Sequence, residues 1–485
     1  MVHRFHLGRR VAAIGLIVVL HPAAACSMGA SSDVLPAPSV SAAPPAGPAP
    51  LARCAEGPET RPDGTLPDTL HRYCGRVMVT IDGQSRTVAI GFVADRPANP
   101  LAGRSVLVYH PGGPGLSPLR HLFESPPVVD YRRYAVLAWN GATSSSVTGA
   151  CGPNHLSFAA DRGPHFAQRA EAAARECLAR PRDYPWSGAR AAADELEAVR
   201  ASLGLASVDL LTHSYGTAIA EAYLQRYPHR VGRAVLDGPI ATDATWQDRI
   251  DAVSASTSSV LRKLFDSCAT GCAPGVTGAL GGGRDYTAVR SALLAARPRV
   301  GNSQVRLTGA VLDQATLIAL RSDEYWPAYL DALERAFGGD ATELWTLGER
   351  YITAVDRRVF YAAMCTDIDH PRAVEDYNRY HAPLLDAYAA ELAPCAAYQH
   401  VLSPVPKPAP ESPDVLVIAS PFDVLTPAAL VASSPRLSRY PLCVTGVAAH
   451  TNIADPRVDR IVAGFLAGGS ADQAKADCML LARPG

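Results

Sequence analysis

Five short apolar runs constrain this chain most: residues 106–109, 134–139, 208–211, 234–236 and 415–418. Runs of that length, bounded by polar or turn residues, are buried strands rather than helices. Longer amphipathic stretches lie between several of them. The clearest carries Ala189, Ala192, Ala193, Leu196, Val199 and Leu203 at helical spacing just before the run 208–211, which gives the helix-then-strand unit of a parallel sheet. Upstream, Val77, Val79 and Ile81 alternate, then Val88, Ile90 and Phe92, with Asp82-Gly83 between them, a hairpin signal. The expectation is an α/β fold, a mostly parallel sheet flanked by helices.

Between residues 241 and 405 the strand alternation lapses into helical and loop-like segments, among them 323–337 and 372–390. This predicts a largely helical cap inserted into the sheet domain, with core segments at 54–240 and 406–485 and the Pro-rich stretch 403–413 as return linker. No internal repeat is present.

The N-terminus reads as an export signal. Arg4, Arg9 and Arg10 precede an apolar run at 11–20 that is too short to span a bilayer as a mature helix. Ala23-Ala24-Ala25-Cys26 follows, resembling a bacterial lipobox with Ala23 where Leu is usual. Residues 1–26 are therefore expected to be removed or lipidated at Cys26, with plain secretion as the alternative and Arg9-Arg10 as a possible twin-arginine signal. Residues 27–53, rich in Pro, Ala and Ser, suit an extended tether. The protein is expected outside the cytoplasm, as a cell-surface lipoprotein or secreted, touching a membrane only through that lipid, and as a monomer.

Eleven cysteines agree with export, because lipidating Cys26 leaves an even set able to form disulfides. Their pairing does not follow from sequence; sequential neighbours are the simplest hypothesis: Cys54 with Cys74, Cys151 with Cys177, Cys268 with Cys272, Cys365 with Cys395 and Cys443 with Cys478. No cysteine or histidine pattern has zinc spacing. Forty-five basic against forty-six acidic residues leave no electrostatic footprint for nucleic acid.

The chemistry sits after the strands. The run 208–211 enters Thr212-His213-Ser214-Tyr215-Gly216 and then a small-residue helical stretch with Ala218, Ala220 and Ala222. A strand, a sharp turn with a central serine and a close-packing helix make a nucleophile elbow, with Ser214 as nucleophile and Thr212 replacing the first glycine of the usual motif. After the run 106–109 comes His110-Pro111-Gly112-Gly113-Pro114-Gly115, whose amides suit an oxyanion hole. Gly113 and Tyr215 are the expected donors, and His110 is read as structural. Asp423 follows the run 415–418 and is preferred as orienting acid to Asp414, which precedes that run. His450, after a strand near 440–445, takes the base role, completing the chain order Ser, Asp, His.

With these residues in place, the sequence resembles the α/β-hydrolases of the proline iminopeptidase and tripeptidyl aminopeptidase type, over roughly residue 54 to the C-terminus. The resemblance rests on the His110–Gly115 segment, Ser214-Tyr215-Gly216, Leu236-Asp237-Gly238, Asp423 with Thr426-Pro427, and His450. In the insertion, Tyr325-Trp326-Pro327, Cys365-Thr366-Asp367 and Pro394-Cys395 are similar too. It implies a cofactor-free serine hydrolase that removes short peptides or single residues from a free N-terminus, with the cap recognising the amine. Cap carboxylates for that amine are sought among Asp323, Glu324, Asp367 and Asp369, Asp367 first and Glu324 retained beside it. Where the family has Asp-x-Arg-Gly-x-Gly-x-Ser, this chain reads Trp139-Asn140-Gly141-Ala142-Thr143-Ser144-Ser145-Ser146, which predicts an altered substrate preference and a neighbour reshaped around Thr212. The expected substrate is a peptide or small ester. A carboxylesterase or lipase using the same triad, and a non-catalytic surface lipoprotein retaining the fold, stand as the other readings.

Overall fold

A computed structural model describes residues 51–54 and 69–481, except 82, 146, 161–162, 179–187, 271, 273, 281–284, 378, 381, 399–412 and 453–454. The export signal, Cys26, most of the tether, Asp82 and nearly all of the return linker lie outside the described residues.

Among the described residues nine strands form one sheet in the order β1-β2-β3-β5-β4-β6-β7-β8-β9. They are β1 (Ala52–Arg53), β2 (His71–Ile81), β3 (Gln84–Ala94), β4 (Ser105–His110), β5 (Tyr134–Asn140), β6 (Val208–His213), β7 (Val231–Asp237), β8 (Asp414–Ala419) and β9 (Leu442–Val444). The expected hairpin is β2–β3, turning at Gly83 with φ 75°. β1 corrects the sequence reading: residues 52–53, assigned to the tether, pair with Cys74 and Tyr73 of β2. The Cys54–Cys74 disulfide holds that start against the sheet.

From β4 onward the sheet is parallel, except where β3 meets β5. β4, β6, β7 and β8 are buried apart from a few residues near their starts, as a sheet covered on both faces requires. Register brings their carboxyl ends to one edge: His110 opposite Thr212, His213 opposite Asp237, Asp237 opposite Ile418, and Ala419 opposite Val444. Whatever follows each strand therefore gathers above that edge, where open α/β sheets carry their sites.

Between β7 and β8 the described residues form helices and turns, including Trp246–Asp266, Gly309–Ala319, Trp326–Phe337, Thr342–Thr353, Arg357–Asp367 and Pro383–Glu391. The stretch read as helical at 372–390 is a short turn at Val374–Tyr377, followed by a helix that starts at Pro383. Proline has no N–H to donate and is accommodated at a first helical position. Much of this segment packs around its own apolar cluster, with Val260, Leu312 and Tyr329, which also takes in Val424 and Ala448 from the loops after β8 and β9. All five cysteine pairs are disulfides in the sequential pattern.

Candidate active site

Ser214 stands between β6 and the Tyr215–Arg226 helix with φ 50° and ψ −126°. A positive φ is costly for a side chain with a Cβ, so the surroundings must enforce it. Its amide donates to Asp237 O of β7 at 2.9 Å, and its carbonyl accepts from the Thr217 amide at 2.9 Å and hydroxyl at 2.6 Å. Glycines let the backbone close in. A Cβ on Gly216 would lie 2.8 Å from both the carbonyl and Nδ1 of His110, and one on Gly112 would lie 2.8 Å from the Ser214 Cβ. The Thr212 hydroxyl donates to Val235 O of β7 at 3.1 Å, so its polar group is satisfied within the sheet. Backbone closeness is required at Gly216, one residue past Tyr215.

His450 Nε2 is 2.9 Å from Ser214 Oγ, and its Nδ1 is 3.0 Å from both Asp423 oxygens. Asp423 is fully buried and also accepts from the Leu425 amide at 2.8 Å, the Thr426 amide at 2.9 Å and the Thr426 hydroxyl at 2.8 Å. Burial alone would raise its pKa. The charge interaction with His450 and the hydrogen bonds from His450, Thr426 and Leu425 outweigh burial and hold it below the ordinary carboxylate value. Asp414 starts β8 at the far end and pairs with Arg233 at 3.3 Å. One relay thus joins three chain-distant residues, a serine hydroxyl, an imidazole and an ionised carboxylate, which is the arrangement that removes a proton from a hydroxyl as it attacks a carbonyl.

A second buried pair lies behind the first. His213 Nδ1 is 3.0 Å from Asp237 Oδ2, and Asp237 also accepts from the Asn452 amide and side-chain amide, both at 2.8 Å. Asn452 follows His450 by two positions, so Asp237 ties the Ser214 turn to the histidine loop. Sequence reading used Asp237 only as part of a resemblance and overlooked Asn452, which carries no local signal.

Gly113 lines the cavity at Ser214, and Tyr215 is the first residue of the helix that follows the turn. The Tyr215 side chain points elsewhere, donating to Asp367 Oδ2 at 2.5 Å. His110 is buried against Trp139 and accepts from the Gly112 amide at 3.2 Å. Burial first, then the nearby His213 and His121, lower its pKa to about 3, so it stays neutral and structural. The divergent loop after Trp139 buttresses the glycine segment. Thr143 O accepts from the Gly115 amide at 2.9 Å, the Ser145 amide donates to Leu116 O at 3.0 Å, and the Ser145 hydroxyl donates to Asp356 at 3.1 Å. Asn140 holds Ser117, the N-cap of the Pro118–Glu124 helix, through its side-chain amide at 2.9 Å.

The cavity at Ser214 holds about 240 Å³, and residues of the inserted segment, among them Arg249, Arg321, Tyr351, Arg357, Phe360 and Glu391, form much of its wall. None of the four carboxylates sought for a substrate amine lines it. Asp367 sits behind the turn, holding Tyr215 and the Ala189 amide at 2.8 Å. Asp369 accepts from the Trp246 amide at 2.8 Å, while Asp323 and Glu324 are exposed on a separate groove beside Ala448 and Ala449. The carboxylate on the cavity wall is Glu391, near the end of the Pro383–Glu391 helix, bound by Arg357 and by the Tyr351 hydroxyl at 2.5 Å. Nothing near Glu391 in sequence marks it; the packing of helices from three parts of the insertion does. Among the described residues no group of acidic, histidine or cysteine side chains is clustered to hold a metal ion.

Serine protease Hip1 of Mycobacterium tuberculosis, like that of Mycobacterium bovis, is 25% identical to this chain over 323 residues, 59% of this chain. That match spans 60% of the relatives' length. Similar solved structures include a homoserine O-acetyltransferase from Bacillus anthracis, 13% identical with TM-score 0.35, covering 86% of this chain and 100% of that one. Another is proline iminopeptidase of Mycobacterium smegmatis, 14% identical with TM-score 0.33, covering 80% of this chain and 96% of that one. The family model for the alpha/beta hydrolase fold matches residues 105–388, more than half of the chain. With its nucleophile-type turn above a parallel sheet, the protein belongs to the α/β-hydrolase fold family.

Proposed function

We propose that the protein is a serine hydrolase that cleaves short peptides from a free N-terminus through an acyl-enzyme, and that it works outside the cytoplasm. The observation that carries the reading is the unbroken relay Ser214–His450–Asp423 at hydrogen-bond distances. His450 Nε2 takes the proton of Ser214 as Oγ attacks the scissile carbonyl. Asp423 fixes the imidazole tautomer and stabilises its cation, and the amides of Gly113 and Tyr215 receive the developing oxyanion. His450 then protonates the leaving amine, and water, activated by the same imidazole, releases the acyl group.

The peptidase reading draws on the similarity to Hip1, a serine protease. The exo reading draws on a small cavity walled largely by the inserted helices, taken as a cap over residues 241–405, which suits a chain end better than an extended polypeptide. Glu391 is the carboxylate on that wall, and because it is already paired with Arg357 a substrate amine would have to share it with that guanidinium. Export draws on five disulfides, which persist in oxidising compartments, together with the apolar N-terminal run and Cys26.

Leu116, Ile240, Phe360, Met364 and Leu425 also line the cavity, and this apolar surface favours a second reading, an esterase acting on apolar acyl groups. Chromogenic peptides with free and acetylated N-termini, and a short-chain ester, separate the two. Free-amine peptides should be cleaved, and Ser214→Ala should reduce turnover on the order of 10⁶-fold. Ester turnover without peptide turnover would favour the esterase. No Ser214-dependent turnover of any substrate would leave a non-catalytic lipoprotein.

A further inference from the structure

Among the described residues three guanidinium groups line the Ser214 cavity, and they are not equivalent. Arg357 is spent: it donates to the carbonyls of Ile352 and Tyr351 at 2.6 Å each and pairs with Glu391. Arg249 is 1% exposed, and its Nη2 donates to Ala241 O at 2.8 Å, while its Nε is buried without a partner. Arg321 lies over the Tyr351 ring, 5.1 Å from its centroid, and its Nε is likewise buried without a partner. Neither Arg249 nor Arg321 has a carboxylate partner among the described residues. Among the described residues the carboxylate on the cavity wall, Glu391, is paired with Arg357, and Asp423, buried behind His450, is committed to that imidazole. A buried cation without a counter-ion is expensive, and the planar fork of a guanidinium matches the two oxygens of a carboxylate bidentately.

We infer that Arg249 and Arg321 form a cationic subsite beside Ser214 that binds a carboxylate of the substrate. The inference deepens the hydrolase reading and rests on it, since the carboxylate must belong to a molecule whose acyl bond reaches Ser214. That carboxylate belongs either to the acyl part, as an acidic side chain, or to the leaving part, as a chain-end carboxylate. Both sources present the same anion to the same arginines.

Full-length protein is assayed in two arms. One compares a nitrophenyl monoester of glutaric acid with its methyl-capped neutral counterpart, and the other compares a dipeptide with its amide. The charged member should be favoured at least about tenfold in kcat/KM in one arm, which identifies the source. In Arg321→Gln that preference should fall to near unity, and Arg321→Lys should restore part of it. Arg249→Gln should act likewise, but Arg321 is the less buried of the two and carries the test if the Arg249 variant does not fold. A preference that is absent, or that persists in Arg321→Gln, overturns the subsite.

Calorimetric titration of Ser214→Ala with glutarate and with neutral glutaramide separates this inference from the hydrolase reading. Glutarate binding that weakens tenfold on adding Arg321→Gln supports the subsite even where no substrate is turned over, in which case only the hydrolase reading fails. Equal binding of the two ligands, with charged and neutral substrates turned over alike, removes the subsite and leaves the hydrolase.

Discussion

The amide of His450 donates to the carbonyl of Arg321 at 2.6 Å, so the inserted helical segment is hydrogen-bonded to the residue that faces Ser214. Beside it Ser322 bridges Ala449, and the Asp323 amide donates to Ala448 O at 3.0 Å. The imidazole is thus held from two sides, by Asp423 below and by a two-bond clamp from the insertion.

Asp323→Pro tests the clamp through the backbone alone. Ser322 is extended, as the residue before a proline should be, and Asp323 opens a short helical turn where a proline fits, so the substitution removes one donor and little else. We expect a loss of about 1 kcal/mol or less in stability and a several-fold fall in kcat with KM little changed. Unchanged kcat with a normal melting temperature would show that the clamp does not position His450.

Gly112→Ala should damage the Ser214 turn directly. Gly112 has φ 107°, and the added methyl would press on the Ser214 Cβ and the His213 carbonyl. Turnover should drop at least about 10²-fold, comparable to loss of an oxyanion donor, with destabilisation of about 1–3 kcal/mol. Steady-state kinetics and thermal unfolding measure the two effects separately.

Asp423→Asn keeps the size of the side chain but removes the charge that steadies a protonated His450. A fall in kcat on the order of 10⁴ is expected. The wild-type carboxylate has its pKa lowered on folding, so it stabilises the fold above the unfolded value near 3.8, and that contribution is lost as pH falls through the lower folded value. Acid unfolding below pH 4 should therefore be less steep in the variant.

Asp367 carries the opposite sign. Burial raises its pKa to about 6 from 3.8, more than the hydrogen bonds from Tyr215 and Ala189 lower it. The folded protein then binds a proton more readily than the unfolded chain, so stability declines as pH rises from about 4 through 6. Asp367→Asn should remove up to about 2–3 kcal/mol of that decline, read as the difference in unfolding free energy between pH 4.5 and 7.5. An identical decline in wild type and variant would contradict the assignment.

What was legible in the sequence is what short-range physics writes into it. Apolar runs of three to six residues, a hairpin, a serine between a strand and a small-residue helix, and an aspartate and a histidine each just after a strand all appear where expected. They are readable because a parallel sheet collects its strand ends at one edge, so chain order translates into spatial order. Thr212 shows where a motif misleads. Its side chain satisfies itself on Val235 O, whereas the tight approach falls at Gly216.

The carboxylates mark the boundary between the two kinds of information. Asp367 and Glu324 are the carboxylates that the sequence puts forward, yet Asp367 lies behind the Ser214 turn and Glu324 faces solvent, while Glu391 reaches the cavity. Sequence alone determined the α/β class and the order of the relay residues; for the cysteines it offered only the simplest pairing, which the disulfides of the structure then established. Tertiary structure alone decided which helices wall the cavity, which arginines reach it unpaired, and that Arg321 grips the His450 loop. The reason is that a side chain's role in a packed insertion is set by groups tens to hundreds of residues away, and contacts of that range leave no periodicity in the sequence.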